Sequence, residues 1–140
     1  MSDFSEFFAQ NKVSTEIHEF VASKSFVSKT TGEPLKWKLR KVDEYTHKRI
    51  KKDSRVKTKT NGAVRYTHDN DLYLNKLAVA TIVYPDLNNK QLQDAYGVMS
   101  AEDLLDKMLS AGEYTMLSLE IQKINDFDIN INEQIEEAKN

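Results

Sequence analysis

The chain has no cysteine, so any chemistry would have to come from histidine, carboxylate, hydroxyl or lysine side chains. His18, His47 and His68 lie far apart and share no spacing of the kind that sets metal ligands side by side. His68-Asp69-Asn70-Asp71 concentrates ligand types, but these residues directly precede an apolar run, where a helix cap is expected, and a cap explains them better. Asp126, Asp128, Asn130, Asn132 and Glu137 occupy the oxygen-ligand positions of a twelve-residue calcium loop. Ile131 then stands where that loop needs glycine for its sharp turn, so the pattern reads as coincidence. The four glycines are isolated, which leaves no phosphate-cradling loop. Spacing places no nucleophile beside a base and pairs no carboxylates. The expectation is a protein that is not an enzyme, with no metal and no cofactor, whose function lies in a surface.

Two groups of residues could form such a surface. Phe4, Phe7 and Phe8 recur at helical spacing after Asp3, with Glu6 three residues beyond that cap. They predict a short amphipathic helix in an arm over residues 1–12. It either docks on its own core or binds a partner or a second copy, since an aromatic stripe is costly to leave in water. Lys36, Lys38 and Arg40 form the other group and alternate with Leu35, Trp37 and Leu39. That alternation predicts a strand with Trp37 in the core and a basic outer face. Eleven Lys and Arg between Lys36 and Lys59 oppose only Asp43, Glu44 and Asp53, so this stretch is about +8 in a chain of net charge −2. Such polarity suits self-association or a charged partner. With Trp37, Tyr45 and Tyr66 interleaved, the segment 36–59 could instead bind nucleic acid. The overall pI of about 5.9 favours a solvated face and loop, and nucleic acid is not the expected partner.

The elements that must position these residues are legible in outline. A chain of 140 residues, 39% hydrophobic and 30% charged, suits one globular domain. No apolar run approaches the ~20 residues that span a bilayer, and "MSDFSEFFAQ" is not a signal peptide. No membrane partner is expected, and the lack of cysteine fits a cytoplasmic setting. Val13–Phe26, the turn "TTGEP" and "LKWKLRKV" predict a β-hairpin. Asp43 caps a short helix to about Lys52. Asn61-Gly62 marks either a second hairpin or a mobile basic loop, and the loop is favoured because little apolar material holds it. A central helix is expected from Asp69 to Tyr84, stopped by Pro85. Asn88 with Gln91, Ser100 with Asp103, and Ser110 with Glu113 predict three capping boxes, and Gly97 a left-handed helix exit. The helices then run over about 89–96, 101–110 and 111–125. Their inward residues are Leu92, Ala95 and Tyr96; Leu104, Leu105, Met108 and Leu109; and Tyr114, Leu117, Ile121 and Ile124. The fold expected is α+β, an N-terminal β-hairpin packed on a C-terminal bundle of about four helices. One domain would cover 13–125, and 126–140 would be an acidic flexible tail.

"LNKLAVATIVYPDLNNKQLQDAYGVMSAEDLLDKMLSAGEY", residues 74–114, resembles the XkdN-like tail assembly chaperones of contractile-tailed phages and defective prophages. The matching pieces are Val83-Tyr84-Pro85-Asp86-Leu87, Leu92 to Met99, and Leu109 to Tyr114, with a looser likeness over 13–127. The resemblance implies a chaperone that holds the tape measure protein while the tail tube polymerises and that is absent from the finished particle. It leaves room for tail tube protein and a second copy of the chain as further partners. It also implies that such genes often make a longer form by ribosomal slippage, and Ala138-Lys139-Asn140 could be encoded by a slippery string. The family brings no catalytic motif. A nucleic-acid-binding phage regulator using 36–59 and a structural tail component remain the alternatives.

Overall fold

A computed structural model describes residues 4–13 and 16–127. The predicted hairpin forms: β1 (His18–Phe20) pairs antiparallel with β2 (Trp37–Leu39), setting Phe20 opposite Trp37 and His18 opposite Leu39. Beyond the paired strands, Leu35 N–H donates to Phe26 O at 2.7 Å and Ser28 N–H to Glu33 O at 2.8 Å. Gly32 turns the chain at φ 73°, where a side chain would be strained. Trp37 and Leu39 are buried at 2% and 0% exposure, while Lys38 between them faces water. Leu35 shares their phase, but it lies outside β2 toward the turn and is exposed.

The hairpin is two-thirds of a sheet. On the far side of β2 lies β5 (Ile82–Tyr84), antiparallel, with Leu39 opposite Ile82 and Lys38 opposite Tyr84. The central helix α2 (Asn70–Thr81) therefore ends at Thr81, not at Tyr84 as the apolar run suggests. The β-branched and aromatic Ile82, Val83 and Tyr84 fit a pleated edge, and β2 offers them a partner. Arg40 N–H donates to Thr81 O at 2.9 Å, tying the strand end to the helix end.

Asp43 caps α1 (Glu44–Asp53) by accepting from Thr46 N–H. The segment favoured above as a loop is a second hairpin, with β3 (Arg55–Thr60) paired with β4 (Ala63–His68) over all six rungs. Asn61 and Gly62 adopt φ 53° and 77°, the left-handed pair that a two-residue hairpin turn requires. Ladder bonds and this turn hold the ribbon, with every residue of both strands exposed. Its base is closed by Asp69 N–H donating to the carbonyl of buried Ser54 at 2.8 Å.

The remaining helices are α3 (Lys90–Ala95), α4 (Ala101–Met108) and α5 (Ala111–Ile124). Of the three capping boxes, only Ser110–Glu113 is reciprocal. Ser100 caps α4 through Asp103 N–H without a return bond. The α3 cap is Asn89, whose Oδ1 accepts from Leu92 N–H at 2.9 Å, while Asn88 N–H donates to Asp86 Oδ1 at 3.0 Å and so is not bonded by Gln91. Gly97, at φ 67°, ends α3 with Val98 N–H donating to Gln93 O and Gly97 N–H to Asp94 O, a Schellman exit. Asp126, at φ 63°, ends α5 the same way, and Phe127 then packs against the core. Leu104, Leu105, Leu109, Leu117, Ile121 and Ile124 are buried as expected, but Ala95 faces solvent. The six-residue α3 presents only its Leu92 side to the core. The helix α2 packs against α1, α4 and α5, and one buried cluster joins its Leu77 and Ala78 to Trp37 and Leu39 of the sheet and to Leu104, Leu105, Leu117 and Ile121 of α4 and α5.

Asn125 joins three parts of this core. Its Oδ1 accepts from Val42 N–H at 2.8 Å, and its Nδ2 donates to Thr81 Oγ1 at 3.1 Å and to Ile121 O at 2.8 Å. Thr81 is fully buried, so Asn125→Ala strands its hydroxyl and the Val42 N–H together. We predict a loss of roughly 1–3 kcal/mol in urea unfolding. Asn125→Asp keeps the acceptor and should lose less; equal stability of the Ala variant and the parent would refute the clasp.

Candidate functional site

The aromatic arm does not form an α-helix. Phe4–Phe7 and Ala9–Asn11 are two short turns of 3-10 helix. The turns are held by Phe8 N–H donating to Ser5 O at 3.0 Å and Asn11 Nδ2 donating to the same carbonyl at 2.6 Å. So short a segment cannot sustain α-helix on its own bonds. Phe4, Phe7 and Phe8 are 77%, 85% and 51% exposed, and Val13 is 88% exposed, so the arm does not dock on its own core. Asp3, the expected cap, lies outside the described residues.

Lys36, Lys38 and Arg40 are all exposed, and each meets different neighbours. Lys36 pairs with Glu19 across the sheet at 3.6 Å, and Lys38 lies over the Tyr84 ring at 5.8 Å. Arg40 turns into an open groove of about 1130 Å³ with Lys12, Val13, Glu16, Val83 and Lys123 among its walls. The groove walls take in Lys12 and Val13, where the arm ends, and none of the three phenylalanines. Asp43 also lines it, with its carboxyl held below the usual range by the bonds from Thr46. The ribbon holds Arg55, Lys57 and Lys59 of the basic stretch read from the sequence, and its Asn-Gly turn is the signal for the hairpin that the loop reading set aside.

Polar groups elsewhere serve packing. His47 Nε2 lies 2.6 Å from Tyr73 Oη, and the Phe127 ring stands 5.1 Å from the His47 ring. Burial, helped by nearby Lys51, lowers the His47 pKa. His68 also lies against Tyr73, with ring centroids 5.4 Å apart, which seats the base of the ribbon on α2. A smaller hollow holds Asp71, Asn75, Asp106 and Tyr114. Burial raises the Asp106 pKa, opposed by the Asn75 bond, and pushes the Tyr114 hydroxyl up to about 12. A phenol held so firmly protonated is a poor base, and no histidine or lysine lines the hollow beside it. Among the described residues, no group of three His, Asp or Glu converges as metal ligands would. The calcium-like pattern lies mostly beyond Phe127, outside those residues, as do the slippage junction and most of the acidic tail. No described helix is long and apolar enough to cross a membrane.

Known proteins share this arrangement. The family model described as phage XkdN-like tail assembly chaperone protein matches residues 4–139. Phage-like element PBSX protein XkdN of Bacillus subtilis (strain 168) is 26% identical over 140 residues, covering 99% of this chain and 94% of the relative. Protein YqbN of the same strain is 30% identical over 148 residues, covering 99% and 93%. A crystal structure of the protein YqbN matches with a TM-score of 0.75 at 26% identity, over 91% of this chain and 99% of that one.

Proposed function

Because the chain belongs to the phage XkdN-like tail assembly chaperone family, we propose that it binds the tape measure protein during tail morphogenesis and is left out of the finished particle. The work is done in the cytoplasm of the bacterial host, before the tube closes around its ruler. Tail tube protein is a second partner, met at the same stage. The observation that carries this reading is the uncovered aromatic arm: Phe4, Phe7 and Phe8 stand in water, and Lys12 and Val13 at the arm's end line a groove with mixed charged and apolar walls. Exposed rings of this size favour burial against a client by about 1.5–3 kcal/mol each. A long tape measure protein would otherwise present its own apolar surface to solvent during assembly, and a small acidic domain covering it would keep it soluble.

Co-expression with the tape measure protein tests the reading. The chain should co-elute with it and raise its soluble yield, and mass spectrometry of purified particles should not find the chain. Separate elution would overturn the client assignment. Recovery of the chain in particles at the stoichiometry of a tail ring would make it a structural component.

A further inference from the structure

The β3–β4 ribbon carries no carboxylate from Ser54 to His68, yet it holds Arg55, Lys57, Lys59 and Arg65. None of these four cations takes part in an ion pair among the described residues, while Lys36, Lys41, Lys76 and Lys90 all do. The ladder register sorts the ribbon into two faces, because directly opposed residues share a side. Arg55, Lys57 and Lys59 lie on one face, opposite His68, Tyr66 and Val64. Val56, Thr58 and Thr60 lie on the other, opposite Thr67, Arg65 and Ala63. The lysine column repeats every roughly 6.8 Å, the two-residue step of a strand.

The sheet has only two strands, so the outer edge of β3 is unpaired among the described residues. An isolated two-stranded ribbon is marginal in water, and a third strand would stabilise it. Lysines on an edge repel a second identical strand, which excludes the same edge of another copy. They favour a strand with carboxylates at alternate positions, each opposite Lys57 or Lys59. The intervening residues of that strand would then fall beside Val56, which is 37% exposed, so they should be β-branched or apolar. We infer that the free edge of β3 is a docking site for an acidic, alternating segment of a partner protein, taken up as a third strand.

Nucleic acid is the less favoured polyanion. A long one would run from the four cations of the ribbon onto a remainder of the chain that carries about −6. On the cationic face Tyr66 is the one strongly exposed ring for a base to stack on. A short acidic segment meets only the ribbon. The inference rests on the assembly reading only for the source of that segment, and a synthetic probe keeps the two failures apart.

The test measures anisotropy of a labelled peptide alternating Glu with Val and Thr, against the same peptide with Lys for Glu, and against a short DNA duplex. The Glu peptide should bind, more weakly as salt rises, and amide exchange should slow in Arg55–Thr60. Lys57→Glu with Lys59→Glu should weaken it at least about tenfold, since two favourable cross-strand pairs become repulsive. The Gln pair should fall between. Both side chains are exposed, so melting should not move. Equal binding by the Glu variant, absence of Glu-peptide binding, or protection outside β3 overturns the site. Tighter binding of the duplex than of the Glu peptide assigns the ribbon to nucleic acid and overturns it as well.

Discussion

Trp37→Ala should destabilise the protein by about 3–5 kcal/mol, the largest loss expected from any single side chain here. Trp37 is 2% exposed and belongs to the same buried cluster as Leu39, Leu77, Leu104, Leu105, Leu117 and Ile121. It stands on the middle strand of the sheet, so its removal leaves a void that neither neighbouring strand can close. At this chain length such a loss corresponds to a melting temperature roughly 10 °C lower or more. Trp37→Phe keeps most of the ring volume and should cost clearly less. Thermal melts of the two variants settle it, because an Ala variant that melts with the parent has no tryptophan in its core.

Replacing Phe4, Phe7 and Phe8 together with Ser should reverse that pattern. The melting temperature should hardly move, since exposed side chains far from the core contribute little to stability. Affinity for the tape measure protein should fall by roughly a hundredfold or more, as expected if two rings each contribute about 1.5–3 kcal/mol on burial. Titration calorimetry against the purified client measures the second quantity and a melt the first. A melt lowered by many degrees would mean that the arm packs on its own domain. An unchanged affinity would move the client to another surface.

What could be read in advance was mostly local. Asp43, Ser100 and Ser110 cap helices where their sequence neighbours say they should, because a cap bond spans only three residues. Trp37 and Leu39 were legible from two-residue alternation. The α3 cap is Asn89 and not Asn88, since two adjacent asparagines look alike to a pattern, and the N–H of Asn88 goes to Asp86 in place of the Gln91 bond of a box. Ile82–Tyr84 was misread because an apolar run suits a buried helix or a strand equally, and pairing with β2 across α1, the ribbon and α2 decided it. The ribbon, one of two alternatives at Asn61-Gly62, loses to a loop in the sequence for the opposite reason: apolar burial is the usual mark of a strand, and this hairpin has none. In the arm, the aromatic spacing was seen, but the segment proved too short to bond as an α-helix.

The middle position of β2 sets the order in which the chain can fold. On a ribosome, β1 and β2 emerge first, and a lone hairpin is barely stable. Their third strand and the helices that cover Trp37 are made later. Native closure must therefore wait for β5, and a long loop has to close before any of its contacts repay the cost. The tip of the ribbon at Asn61–Gly62 lies inside that loop and far from the buried cluster. A chain severed there yields two pieces, one with β1, β2, α1 and β3, the other with β4, α2, β5 and the bundle. Neither piece holds a complete core, yet β2 and β5 retain complementary edges. The protein is thus suited to fragment complementation, with the β2–β5 and β3–β4 ladders as the seam.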